Sequence, residues 1–193
     1  IGCATGDFLY YVSKMFPSAE LNGADVDQDL IERTLVEVPN IKNVFKVDIS
    51  DLDQNIGKYD AIFMSGVHSI FDNFDCILSV KSLLKDKNSK AYVFGLWNPY
   101  DIDVIIKSRN SNEFGKFEKG WNVFSKTSLY KFAEDNMLDA KFIDLNIDLE
   151  IKPNKKDPLR SWTEEMADGK KRIVNGLCLL HHFSLLTLNL KNG

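Results

Sequence analysis

The sequence contains a glycine-rich turn, Ile1-Gly2-Cys3-Ala4-Thr5-Gly6-Asp7, which runs directly into the apolar stretch Phe8–Val12. A turn of this kind follows a buried strand and opens a helix, because glycine lets the backbone turn tightly and approach a ligand closely. Nineteen positions after Gly6, Asp25 closes a second strand-like stretch, residues 19–24. A carboxylate about 20 residues beyond such a turn can accept both hydroxyls of a ribose. The spacing therefore predicts a ribose-binding βαβ unit.

Two residues of the turn argue against a dinucleotide such as NAD or FAD. The fingerprint G-x-G-x-x-G needs glycine at positions 2, 4 and 7, where this chain has Gly2, Ala4 and Asp7. The Asp7 carboxylate at a helix N-terminus also competes with a pyrophosphate for the backbone N–H groups. A ligand with ribose, adenine and cationic centres but no phosphate tolerates Asp7 better. S-adenosylmethionine (SAM) is such a ligand.

Four segments, in order and at family-like spacing, resemble the motifs of the class I SAM-dependent methyltransferases. Ile1–Gly6 resembles the first motif, with Ala4 in place of the frequent middle glycine, and Gly23–Asp27 resembles the second. Val47–Ile49 resembles the third motif, and Tyr59–His68 resembles the fourth. The resemblance covers roughly the first hundred residues.

The resemblance implies SAM as the cofactor, with S-adenosylhomocysteine (SAH) as product. The spacing of the cysteines predicts no metal site. The resemblance also implies that Asp25 binds the ribose, that Asp48 contacts the adenine amino group, and that the fourth strand ends beside the sulfonium. The cofactor-binding residues that we expect are Gly2, Cys3, Ala4, Gly6, Asp25, Val26, Asp48, Ile49, Ser65, Gly66 and Val67.

The order of elements predicts one domain over residues 1–193. We expect a doubly wound, Rossmann-like, mostly parallel seven-stranded sheet, because the apolar strand 61–64 is typical of a parallel sheet that is covered on both faces. The resemblance implies that the C-terminal strand of this sheet is antiparallel. A first strand should precede the glycine turn, so we expect the natural polypeptide to extend upstream. The predicted helices are 7–16, 27 to before Pro39, 71–84 and about 125–136, and the predicted strands are 20–24, 43–47, 61–64, 91–97, 141–149, a hairpin over 160–174, and 183–190.

His68 is the candidate catalytic residue. It follows the fourth strand, where an acceptor would approach the sulfonium. Methyl transfer requires in-line positioning, and an oxygen acceptor of high pKa also requires a base, for which histidine is the commonest choice. The alternative is that His68 only packs over the cofactor.

Candidate acceptor-binding residues follow the fifth strand and recur near the C-terminal hairpin. Trp97 and Tyr100 can line the acceptor pocket. Arg160, Trp162 and Arg172 can bind an anionic or sugar-like acceptor, since guanidinium groups fork onto carboxylate or phosphate and indoles stack on rings. Their segment resembles a C-terminal element of some small-molecule and sugar-modifying methyltransferases. An edge hairpin with ordinary surface cations is the alternative.

Other partners are disfavoured by sequence and charge. Asn98-Pro99-Tyr100 is similar to the [DN]-P-P-Y loop of adenine-N6 DNA methyltransferases, but it follows the fifth strand and lacks the second proline. A net charge of −4 gives no general attraction to DNA or to an anionic membrane. The adjacent His181 and His182 cannot chelate one metal from a strand. Three scattered cysteines, Cys3, Cys76 and Cys178, indicate reduced thiols in the cytoplasm.

The function that we expect is methyl transfer from SAM to a small molecule, at an oxygen of a sugar or phosphorylated metabolite. A non-catalytic SAM-binding partner or sensor subunit is one alternative, and an RNA methyltransferase is another. A nucleotide-dependent oxidoreductase is disfavoured by Ala4 and Asp7.

Overall fold

The computed structural model describes residues 1–51, 56–108, 118–145, 149–155, 161–174 and 182–190. The helices are α1 (Asp7–Met15), α2 (Gln28–Glu37), α3 (Asp75–Leu83) and α4 (Lys126–Asp135), and Val67–Ile70 form a 3₁₀ turn. The strands are β1 (Leu21–Asp25), β2 (Ile41–Lys46), β3 (Ala61–Ser65), β4 (Lys90–Asn98), β5 (Lys107–Ser108), β6 (Glu118–Lys119), β7 (Phe124–Ser125), β8 (Leu138–Asp144), β9 (Trp162–Glu165), β10 (Lys171–Val174) and β11 (His182–Leu190). None of these described helices has the length and apolarity needed to cross a membrane.

Strands and helices alternate along most of the chain, and the main sheet is mixed. Its order is β3-β4-β11-β8, with β7 paired in parallel to the end of β4. β3 and β4 are parallel, whereas β11 runs antiparallel to both β4 and β8. The prediction of an α/β fold whose last strand is antiparallel is therefore confirmed.

The predicted single seven-stranded sheet differs from what the described residues form. β1 and β2 make a separate two-stranded parallel sheet. Residues 1–3 lie between the two sheets: the Ile1 amino group donates to the Phe63 carbonyl at 2.8 Å, and the Cys3 N–H donates to the Ala24 carbonyl at 3.0 Å. Three residues with one bond to each side connect the sheets without making a continuous ladder between them.

The core lies between the main sheet and α3. Cys76, Ile77 and Val80 of α3 are fully enclosed, and they belong to the same cluster as Val93 of β4 and Leu186 of β11. Full burial of such side chains contributes roughly 1.5–3 kcal/mol each. In contrast, α1 has no buried residue. The main sheet is therefore the stable platform on which the turns at its carboxyl edge are built.

Several predicted boundaries differ from those of the structure, and the hairpin was confirmed. The strand predicted over 141–149 begins at Leu138, because β8 takes its register from β11. The helix predicted over 71–84 begins at Asp75, whose N–H is accepted by the Asn73 side chain. β9 and β10 pair antiparallel around the predicted turn at residues 168–169.

Candidate functional site

The glycine turn is tightly packed and leaves no space for a β-carbon at Gly2 or Gly6. Gly2, Ala4 and Gly6 all have left-handed backbone, with φ of +65°, +49° and +85°. A β-carbon on Gly2 would lie 2.4 Å from Val67 Cγ2, and one on Gly6 would lie 2.6 Å from Val38 Cγ2. The turn is thus pressed against the segment after β3 on one side and the end of α2 on the other.

Ala4 holds a backbone conformation that costs an L-residue about 1–2 kcal/mol. Hydrogen bonds at both ends of the residue keep it there. Its N–H donates to Asp25 Oδ2 at 2.9 Å, and its carbonyl accepts the Thr34 hydroxyl at 2.7 Å. The side chain where family members often have glycine is exposed, so alanine is tolerated at this position.

Asp25 ends β1 and is only 9% exposed. Its Oδ2 accepts the Ala4 N–H, and its Oδ1 accepts the Asp27 N–H at 3.1 Å. These two bonds offset the cost of burying the carboxylate. Each carboxylate oxygen can accept more than one hydrogen bond, so the pair retains capacity for ligand hydroxyls. The structure therefore brings the predicted ribose acid directly against the glycine turn.

The neighbours of Asp25 have distinct roles. Asp27 caps α2 by accepting the Asp29 and Leu30 N–H groups, as predicted, while Val26 between the two acids is 58% exposed. Such a cap contributes about 1 kcal/mol.

Asp48 lies in the turn that follows β2. The Val47 N–H donates to the Asp25 carbonyl at 2.8 Å, so Asp25 and Asp48 follow the carboxyl ends of adjacent parallel strands. Asp48 is exposed, and its Oδ1 accepts the Ser50 N–H and hydroxyl. Ile49, in contrast, is buried in the core. Of this predicted pair, only Asp48 offers its side chain at the surface.

The turn after β3 completes one side of the site. Ser65 is exposed, Gly66 has φ +73°, and the Gly66 N–H donates to the Phe94 carbonyl at 2.9 Å. Through the close approach of Gly2 to Val67, this turn is continuous with the glycine turn. The glycine turn therefore contacts Asp25 on one side and the turn after β3 on the other.

His68 points inward in this structure. It is 1% exposed and stacks on the fully buried Trp97, with ring centroids 4.5 Å apart and planes 7° apart. A β-carbon on Gly95 would lie 2.1 Å from His68 Cε1, so this glycine makes room for the ring. Burial lowers the pKa of His68 to about 4, although the Leu96 backbone favours the charged form slightly. His68 is therefore neutral near pH 7, and its role as a base stays a prediction.

Three nitrogens in this stack are buried without a hydrogen-bond partner among the described residues. They are His68 Nδ1, His68 Nε2 and Trp97 Nε1. The Leu96 backbone near His68 does not reach hydrogen-bond geometry with either ring nitrogen. The stack therefore depends on ring packing rather than on polar contacts within the described part of the chain.

The predicted acceptor residues are spread over two places. Tyr100 is 72% exposed just beyond β4, and its N–H donates to Asn98 Oδ1. Trp162 donates to Glu164 within the hairpin, and Arg172 forks onto Asp168 at 2.9 and 2.6 Å. Arg160 lies outside the described residues. Arg172 is thus engaged by its own hairpin.

Trp121 lies beside Gly66, a position that the sequence did not predict. Its Cη2 and Cζ3 atoms lie 3.4 and 3.5 Å from the position of a β-carbon on Gly66, and the side chain is 43% exposed. The following residue, Asn122, is fully buried. The apolar Trp121 is thus exposed and the polar Asn122 is buried, which is the reverse of what their residue types predict. The sequence alone therefore gave no signal for the position of Trp121.

Comparison with known proteins identifies the domain. Residues 1–88 match the family model of the methyltransferase domain. This segment, a little under half of the chain, is therefore similar to a methyltransferase domain. The predicted resemblance to the class I SAM-dependent methyltransferases is confirmed over this segment, and the match supports an enzyme.

One sequence relative and two solved structures are also similar to this chain. An uncharacterized protein of Rickettsia prowazekii (strain Madrid E) is 32% identical over 99 residues, which are 48% of this chain and only 40% of that protein. A structure from Listeria monocytogenes, solved as a candidate S-adenosylmethionine dependent methyltransferase, has a TM-score of 0.65 at 11% identity, covering 100% of this chain and 89% of its own. The plantazolicin methyltransferase BpumL, solved with a triazolic desmethyl analogue and SAH, has a TM-score of 0.57 at 17% identity, covering 99% of this chain and 75% of its own.

We expect Gly6→Ala to destabilise the methyltransferase domain much more than Gly169→Ala. Both glycines have positive φ, but a β-carbon on Gly6 would clash with Val38 and Thr34, whereas one on Gly169 would meet nothing within 4 Å. Left-handed backbone costs alanine about 1–2 kcal/mol, and overpacking adds about 1–3 kcal/mol at Gly6 alone. Urea unfolding of both variants measures the difference. Equal losses of stability would show that the turn has room to relax.

We expect His68 to make stability depend on pH. The unfolded state, with a histidine pKa of 6.5, binds the proton that the folded state with its pKa of about 4 rejects. The free energy of unfolding therefore rises with pH between the two pKa values and levels off above the higher one. His68 is expected to lower it by about 2 kcal/mol at pH 5 relative to pH 7.5. His68→Phe keeps a stacked ring and should remove that part of the slope in urea unfolding. Parallel pH curves for wild type and variant would contradict the burial of a neutral imidazole.

Proposed function

We propose that this chain transfers the methyl group of SAM to a small-molecule acceptor, at an oxygen of a sugar or phosphorylated metabolite. The observation that carries the proposal is the hydrogen bond from the Ala4 N–H to the Asp25 carboxylate. It holds a buried acid with spare acceptor capacity against a left-handed turn, which suits a ribose.

The residues present fit a nucleoside without phosphates. The exposed Asp7 carboxylate stands in the first turn of α1, where it disfavours a pyrophosphate. The Asp25 carboxylate accepts two backbone N–H groups and keeps lone pairs for two hydroxyls. A neutral ribose next to one negative charge gains charge-assisted hydrogen bonds, whereas a phosphate would be repelled.

The other proposed contacts follow the same edge of the sheets. The backbone of Gly2, Cys3, Ala4 and Gly6 would hold the nucleoside and amino-acid parts of SAM, with Asp25 and Val26 at the ribose. Asp48 would flank the adenine and accept from its amino group, while the buried Ile49 could contribute only through its backbone. Ser65, Gly66 and Val67 would border the methionine end.

When bound, SAM supplies an electrophilic methyl group. The contribution of the chain is to fix the positions of the two reactants, which can supply about 7–11 kcal/mol of the barrier reduction. The turn at Gly66 is suited to this task, since Ser69 and Phe94 both fix it through backbone hydrogen bonds. The proposed base is His68, and its enclosure against Trp97 means that it would act only when the turn after β3 opens.

A small acceptor fits the charge and the exposed aromatic groups better than RNA does. The net charge of −4 gives no general attraction to a polyanion. Tyr100, Arg160 and Trp162 are the proposed acceptor contacts, with Trp97 supporting the pocket from within. The name of the structural neighbour BpumL, a methyltransferase of plantazolicin, also supports a small molecule.

Calorimetric titration with SAM and SAH tests the cofactor assignment. Wild type should bind both, and Asp25→Ala should weaken both by about tenfold or more, since it removes charge-assisted hydrogen bonds worth about 1.5–3 kcal/mol each. Asp29→Ala is the matched control, because it removes an exposed carboxylate from the first turn of α2, close to the same loop. Thermal unfolding of each variant separates lost affinity from lost structure.

Transfer of a tritiated methyl group tests the acceptor class. With a metabolite extract and total RNA as parallel acceptors, label should enter the small-molecule fraction. Label in RNA alone would make the chain an RNA methyltransferase, and SAM binding without transfer to either would make it a binding subunit or sensor. No binding of SAM or SAH by the folded wild type would overturn the proposal.

A further inference from the structure

Thr34 is a polar residue on the buried face of α2. It is fully enclosed, and Ile31 on the same face of the helix is also buried. A threonine inside a helix often donates its hydroxyl to the carbonyl one turn earlier in the same helix. Here the hydroxyl donates instead to the Ala4 carbonyl at 2.7 Å, 30 positions away in the chain. The polar group of Thr34 therefore serves the glycine turn and not its own helix.

The hydroxyl and the methyl group of Thr34 meet different parts of that turn. Besides its bond to Ala4, the hydroxyl oxygen lies 3.9 Å from Cys3 Sγ. The methyl carbon, Cγ2, lies 3.0 Å from the position of a β-carbon on Gly6. The hydrogen bond and the packing contact can therefore be removed separately by substitution.

The hydrogen bond holds one end of a residue whose backbone is left-handed. Ala4 has φ +49°, a conformation that an L-residue keeps only where its surroundings impose it. The Thr34 hydroxyl holds the Ala4 carbonyl, and Asp25 Oδ2 accepts the Ala4 N–H at 2.9 Å. Without the hydroxyl, the Ala4 carbonyl would be free to rotate towards a relaxed backbone conformation. Such a rotation would shift the turn away from the geometry in which its N–H meets Asp25.

Building on the proposed function, we propose that Thr34 is a positioning residue for the cofactor. Its hydroxyl keeps Ala4 in the conformation that bonds to Asp25, so that the turn and the ribose acid are in place before SAM binds. Because Thr34 is enclosed, it acts through Ala4 and Asp25 and not through a ligand contact of its own. Preorganisation of the turn lowers the cost of binding, and it raises the affinity for the adenosine part that SAM and SAH share.

Calorimetric titration of SAM and SAH into Thr34→Val and Thr34→Ser separates the hydroxyl from the methyl group. Valine keeps the shape and loses the hydroxyl, so it should weaken both ligands by about threefold to tenfold. Serine keeps the donor and should bind both ligands within about twofold of wild type. A role in packing alone predicts the opposite order, because serine leaves a gap beside Gly6 and valine does not.

Ser79→Ala is the matched control. Ser79 is buried, and its hydroxyl donates to the Asp75 carbonyl within α3 at 3.2 Å. The control therefore also removes a buried hydroxyl from a helix, but one that bonds within its own helix. Its affinities for SAM and SAH should stay within about twofold of wild type. Urea unfolding of all the variants shows that each is folded under the conditions of the titration.

Hydrogen exchange of the Ala4 amide is a readout that needs no ligand. In the free protein, Thr34→Val should speed exchange of this N–H by about threefold to tenfold, while Thr34→Ser should stay close to wild type. The Ile31 N–H donates to the Asp27 carbonyl in the first turn of α2 and is the internal reference. Its exchange should be unchanged, since the lost bond is at the glycine turn.

The outcomes separate this inference from the function on which it rests. Unchanged affinities in Thr34→Val, losses at least as large in Thr34→Ser, or unchanged exchange of the Ala4 amide would each overturn the positioning role, while SAM binding by wild type upholds the cofactor. Folded wild type that binds neither ligand overturns both proposals together. Weaker binding of both ligands with faster Ala4 exchange in the valine variant alone establishes the role of the hydroxyl.

Discussion

The hydrogen bond from the Ala4 N–H to the Asp25 carboxylate is the contact on which the site depends. It joins two segments 21 positions apart, the turn before α1 and the end of β1. Because Ala4 has left-handed backbone, the bond also offsets a local strain of about 1–2 kcal/mol. The position of the Asp25 carboxylate is thereby set by the fold and not by a ligand. Such preorganisation would lower the cost of binding the proposed nucleoside.

Close packing couples the position of the glycine turn to that of the turn after β3 and to that of α2. Gly2 approaches Val67 and Gly6 approaches Val38 at distances that no β-carbon could share. The glycine turn therefore has little freedom to shift without moving α2 and the turn after β3 with it. A substitution that moves one of these segments would therefore also move the others, since close-packed groups transmit displacement.

The sequence was most informative where function depends on local spacing. The glycine turn, Asp25 and the Asp27 cap could be predicted because each requires a residue type at a fixed distance along the chain. The inward orientation of His68 and the place of Trp121 could not, because they result from contacts with Trp97 and Asn122 that lie far away in sequence.

Contacts within the protein hold the turn from Gly66 to Ser69 on both sides. Beneath it, the His68 ring stacks on Trp97, while above it the Asn122 N–H is bonded to the Ser69 carbonyl. A reaction that depends on in-line approach of two atoms is sensitive to displacements of about 1 Å. In this conformation the turn contributes a fixed backbone with an aromatic ring on each side. The turn is therefore held by packing and hydrogen bonds, and the proposed role of His68 as a base would require a rearrangement that exposes its ring.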